Sequence, residues 1–163
     1  MSGGTGYNTN NLLSDQRPDL ADAISQEIQN SKNTFVVGID ISDIASIEEK
    51  LSGDGRNAAV LVKESISDLI DPEKARYNKT GTIIYTTLSG SEDEIRRRLW
   101  LIRKRINENY ISITGIVAVE PSEEDKKLIM GNKKYHSLIF NKIDYMLEYV
   151  AKKNEIEVRS LKH

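Results

Sequence analysis

Cysteine is absent from this chain of 163 residues, and histidine occurs only twice. The first absence excludes a disulfide framework and any thiolate nucleophile, and it removes the ligands of the commonest structural zinc sites. No apolar run approaches the ~20 residues that a membrane-spanning helix needs. The opening residues Met1-Ser2-Gly3-Gly4-Thr5-Gly6 carry neither the charged nor the apolar region of a signal peptide, so a soluble, cytoplasmic protein is expected. Neither a complete catalytic motif nor a cofactor motif is present, and no cofactor is expected.

What is present is a strong separation of charge. Residues 1–94 hold 8 Lys/Arg against 16 Asp/Glu, whereas residues 95–163 hold 15 against 9, so the net charge of -2 hides an acidic half and a basic half. Much of the basic half falls in one stretch, Arg96-Arg97-Arg98-Leu99-Trp100-Leu101-Ile102-Arg103-Lys104-Arg105, a surface suited to an acidic partner. Twenty isoleucines and 29% charged residues give a composition like that of heat-adapted proteins.

Residues 1–15 are rich in Gly, Asn, Ser and Thr without periodicity, and a flexible tail is expected there, followed by a single α/β domain over 16–163. Leu20, Ile24 and Ile28 mark a short amphipathic helix after Pro18. Five β-rich runs follow, at 34–40, 57–63, 81–88, 111–119 and 156–160, and helical patterns fall between them. Ser42 heads a helix carrying Ile44, Ile47 and Leu51. Ser91 with Glu94 forms a capping box before Ile95, Leu99, Ile102 and Ile106, and Ser122 with Asp125 forms another. Gly131-Asn132 ends a helix before a last one over 134–153. The alternation predicts three layers: a mostly parallel sheet of about five strands with helices on both faces.

In such a sheet ligands bind outside the carboxyl ends of the strands. Those ends read Asp40-Ile41-Ser42, Glu64-Ser65, Ser89-Gly90-Ser91 and Glu120-Pro121-Ser122, and three readings follow. Asp40 and Glu120 suit a Mg²⁺ site if their strands are neighbours. Ser89, Gly90 and Ser91 suit an anion at a helix N-terminus, although Glu92, Asp93 and Glu94 follow at once. Simple capping of the helix starts accounts for the same residues without a ligand. His136 is read as a structural histidine near Phe140 and Ile143.

The stretch from Gly81 to Ser91, followed by the basic helix, resembles the strand and capped helix beyond the phosphate loop of RecA-type ATPases. That resemblance implies a nucleotide-binding α/β relative without catalysis, since no Gly-rich loop ending in Gly-Lys-Ser/Thr follows a strand. Val36-Val37-Gly38-Ile39-Asp40 is similar to the first strand of RNase H-like nucleases, but a helical pattern follows where that family has a hairpin.

On a helical wheel, Ile95, Leu99, Ile102 and Ile106 form one narrow arc for the core. Arg96 and Arg103 fall on one flank and Arg98 and Arg105 on the other, with Arg97 and Lys104 opposite the core and Trp100 beside the first flank. Tryptophan among arginines suits a protein interface, including self-association, and it also suits single-stranded nucleic acid. The plain alternative is a solvated helix whose arginines pair with Glu92, Asp93, Glu94 and Glu108 while Trp100 is half-covered by a loop. Lys126, Lys127, Lys133 and Lys134 extend the basic surface if they share its face. The expected function is therefore a non-catalytic binding or regulatory protein using Arg96, Arg97, Trp100, Arg103 and Lys104. A ligand-binding protein or metal-dependent enzyme working at the strand ends is the alternative.

Overall fold

A computed structural model describes residues 26, 33–44, 58–110, 113–131 and 136–161, with backbone alone for 128–131 and 136–137. Five strands, β1 (Thr34–Asp40), β2 (Arg76–Tyr77), β3 (Ile83–Ser89), β4 (Gly115–Glu120) and β5 (Ile156–Ser160), form one sheet in the order β2-β3-β1-β4-β5. The described helices are α1 (Ala58–Ser65), α2 (Glu92–Tyr110), α3 (Glu123–Gly131) and α4 (His136–Val150), with a 3₁₀ turn at Ala151–Lys153. Residues 42–44 are also helical. The expected tail at 1–15, the Leu20–Ile28 stripe, Ile47, Leu51 and the side chain of His136 lie outside the described residues.

The sheet is mixed and mostly antiparallel, which corrects the expectation of a mostly parallel one. β1 runs against both of its neighbours, Val36 facing Thr87 on β3 and Val119 on β4, and only β4 and β5 pair in parallel. The error begins at 57–63, read as a strand. From Ala58 onward that segment is helix α1, which buries Ala58, Ala59 and Val62 on one side. A short apolar run has no periodicity that separates a strand from a buried helical turn, and the two alanines favour the helix.

A hairpin takes the place of the missing strand. Asn78 closes the turn between β2 and β3, its Oδ1 accepting the N–H groups of Thr82 at 2.9 Å and Ile83 at 3.1 Å. Gly81 completes it with φ of 68°, a left-handed conformation that glycine adopts without steric cost. The hairpin turns the chain so that β3 lies antiparallel to β1.

Successive residues of β1 enter different apolar clusters, as the period of a strand requires. Phe35, Val37 and Ile39 join α1 and α2 through Ala59, Val62, Leu99 and Ile102, while Val36 joins α4 through Ile139, Ile143 and Leu147. The arc predicted for the basic helix is the one buried, with Ile95, Leu99, Ile102 and Ile106 each at most 1% exposed. At 19 residues α2 is about 28 Å long, enough to carry the chain back along a seven-residue strand of about 23 Å, from the end of β3 to the start of β4. Both strands then point the same way with β1 between them.

Candidate binding face on helix α2

Helix α2 begins with the Ser91 hydroxyl as its cap: the N–H of Glu94 donates to Ser91 Oγ at 3.2 Å, and Ser91 Oγ donates to Glu94 Oε1 at 3.1 Å. Glu92, Asp93 and Glu94 occupy its first turn, where carboxylates complement the helix dipole. The cationic residues come later, so the helix presents an acidic start and a basic middle. Arg96, Arg97 and Arg98 are exposed and have no ion-pair partner among the described residues. Within that set the expected pairs with Glu92, Asp93, Glu94 and Glu108 are not made.

The two flanks of the helix differ. Arg105 is committed to structure, donating to the Ser65 carbonyl at 3.1 Å and to Asp68 Oδ1 at 2.5 Å, which ties α2 to the end of α1. The hydrogen bond from Arg105 holds the Asp68 carboxyl below its ordinary value, with the positive charge adding to the effect. On the other flank Trp100 is 46% exposed. It is therefore not a core residue, and about half of its surface is open to solvent. Lys104 Nζ lies over its ring, 5.2 Å from the centroid, a cation–π contact worth about 0.5–1 kcal/mol at an exposed site.

Trp100, Arg103, Lys104, Asn107, Glu108 and Asn154 line an open notch of about 420 Å³. Asn154, with φ of 54° and ψ of 49°, stands at the turn into β5 and organises the notch floor. Its carbonyl accepts Arg103 Nη1 at 2.9 Å, and its Oδ1 accepts both Asn107 Nδ2 at 3.2 Å and the Thr114 N–H at 3.3 Å. Asn107 Oδ1 is shielded from solvent and has no hydrogen-bond partner among the described residues. Such a group costs about 1–3 kcal/mol unless a donor reaches it.

Asn107 and Asn154 are absent from the expected site. Asn107 has a signal in the sequence, since it lies four residues after Arg103 and seven after Trp100 and so continues their stripe. Asn154 has only the tolerance of asparagine for left-handed turns. Of the four lysines offered as an extension, Lys126 is buried beside Glu123 and does not extend the basic surface. Lys127 is exposed, and Lys133 and Lys134 lie outside the described residues.

The strand-end candidates are not brought together as one rim. Because β1 is antiparallel to β4, Asp40 faces Gly115, and Glu120 stands five residues further along β4, about 17 Å away. Mg²⁺ ligands sit at about 2.0–2.1 Å, so this pair does not share an ion. Asp40 instead accepts the N–H of Ser42 at 2.9 Å and its hydroxyl at 2.7 Å, the capping role. No group of three His, Cys, Asp or Glu residues suited to a metal occurs among the described residues. Glu64-Ser65 is the last turn of α1.

Ser89, Gly90 and Ser91 do lie at the same sheet end as Glu120 and Ser160, since Ser89 faces Thr34 and Glu120 faces Ser160. The Ser91 hydroxyl is already engaged as the cap. A Cβ on Gly90 would meet Glu94 Oε2 at 3.2 Å, so a carboxylate stands where an incoming phosphate would have to fit. Glu120, 5% exposed, accepts Ser160 Oγ at 2.7 Å on one oxygen, while its Oε2 has no partner among the described residues.

No described helix is long and apolar enough to cross a membrane. No family model matches the chain, and neither does any curated protein or solved structure.

Proposed function

We propose that this chain is a non-catalytic binding protein whose α2 face, built from Arg96, Arg97, Trp100, Arg103 and Lys104, docks a partner presenting negative charge. The observation that carries the reading is the row of exposed arginines without ion-pair partners among the described residues, beside a tryptophan 46% exposed. Leaving a large aromatic side chain in water forgoes burial worth a few kcal/mol, and Trp and Arg together are the residues that dominate interface energetics. The two apolar clusters, one with α1 and α2 and one with α4, support a three-layer domain that fixes this helix by its opposite side.

The test is salt-dependent binding of the full chain to acidic polymers, heparin and poly-L-glutamate, compared with the Arg96→Glu/Arg97→Glu variant. Both positions are exposed, so the fold is expected to survive the change. The reading expects binding that weakens as salt rises and is abolished by the charge reversal. Absence of salt-sensitive binding to either polymer contradicts it.

A second reading, a ligand taken up at the strand ends, is favoured by one observation, the shielded and unpartnered Oε2 of Glu120 beside Ser160. An uptake of a small polar ligand that Glu120→Gln abolishes and the α2 charge reversal leaves intact supports it.

A further inference from the structure

We propose that the notch beside Trp100 receives one unpaired base of a single-stranded nucleic acid, with Arg96, Arg97, Arg103 and Lys104 holding the neighbouring phosphates. The inference rests on the reading of α2 as the docking face and names the partner of that face. Residues 96, 97, 100, 103, 104 and 107 follow the i, i+3, i+4 spacing of one helix side and span about 16 Å. A partner recognised by charge alone needs only the four cations of this stripe. The notch adds a feature that charge does not use.

It is an aromatic face at solvent, on which a base stacks whatever its identity. Lys104 now lies over the ring, but a cation–π contact at an exposed site is weaker than base–aromatic stacking, so the lysine exchanges the ring for a phosphate. The faces of an unpaired base are open for stacking, whereas in a duplex they are already stacked, and an acidic peptide offers charge without such faces. Ring and cations together therefore fit an unpaired base better than a duplex or an acidic peptide.

The test is fluorescence anisotropy of four probes on the full chain at several salt concentrations: labelled oligodeoxycytidine, an abasic strand of the same length, the corresponding duplex, and poly-L-glutamate. The intact strand is expected to bind about 5- to 150-fold more tightly than the abasic strand. Trp100→Ala is expected to remove that advantage, so that the intact strand binds no more tightly than the abasic one. With four phosphates engaged, the slope of log affinity against log salt is about -3. Equal affinity for intact strand, abasic strand and duplex overturns the inference. If poly-L-glutamate still binds and Arg96→Glu/Arg97→Glu abolishes it, the docking face stands without base recognition; if no probe binds with salt dependence, both fall.

Discussion

Asn107 and Asn154 are joined side chain to side chain, Nδ2 of the first donating to Oδ1 of the second at 3.2 Å, and through this bond the exposed face of α2 is fixed to the turn before β5. The same oxygen accepts the Thr114 N–H at 3.3 Å, so one side chain joins a helix, a turn and the approach to β4. The left-handed backbone at Asn154 makes this possible, because the turn aims the side chain back toward α2.

Replacing Asn154 separates these two contributions. Asn154→Gly keeps the backbone conformation and loses the hydrogen bonds, and a loss of about 1–2 kcal/mol is expected. Asn154→Ala loses the same bonds and adds left-handed strain, for about 2–4 kcal/mol in all. Urea denaturation of both variants orders them, and an alanine variant as stable as the glycine one contradicts the role of the turn.

Two glycines set how closely the sheet meets the elements beside it. A Cβ on Gly38 would fall 2.3 Å from Ile143 Cγ2, whereas one on Gly115 would fall 2.4 Å from the Cα and 2.5 Å from the N of Ala151. The first clash is with a side chain, the second with backbone. Gly38→Ala is expected to cost about 1–3 kcal/mol, and adding Ile143→Ala is expected to cost less than the separate changes summed, because the clash is gone. Gly115→Ala is expected to cost at least as much, with no relief from Ala151→Gly, since the offending backbone atoms remain. Thermal denaturation of the single and double variants measures both couplings.

The Arg105–Asp68 pair gives a pH dependence of known sign. The folded-state value of Asp68 lies below its unfolded value, because Arg105 donates to the carboxylate. The pair's contribution is thus complete above the ordinary carboxylate value of about 4 and is lost as pH falls through the depressed folded value. Asp68 is open to solvent, so the effect on stability is small and screened by salt. An NMR titration of its carboxyl group is expected to give a midpoint below the ordinary value, moving upward in Arg105→Gln. A midpoint that does not respond to Arg105 contradicts the assignment.

The parts of the fold legible in the sequence are those whose signal is local. The span of β5, the span of β1 and the buried arc Ile95, Leu99, Ile102, Ile106 on α2 follow from apolar spacing and from the Ser91 cap. Strand direction is not local. The antiparallel placement of β1 depends on α1 and on the β2–β3 hairpin, and the hairpin's sequence signal, Asn78 with Gly81 between two short β-rich segments, is brief. From that one reversal came the separation of Asp40 from Glu120, which their positions at strand ends had suggested as a pair. The basic stripe was legible because helix periodicity places it, whereas Asn154 reaches the notch across 47 residues of sequence from Asn107.

The most direct measurement is amide and indole NMR of the full chain during titration with a single-stranded oligonucleotide, the partner class inferred for the notch. Shifts are predicted to gather on Arg96, Arg97, the Trp100 indole N–H, Arg103, Lys104 and the Asn107 side-chain amide, with Ser89, Gly90, Ser91 and Glu120 unchanged. Shifts gathered at the strand ends instead, with α2 silent, would contradict the account and move the functional site to the Glu120–Ser160 end of the sheet.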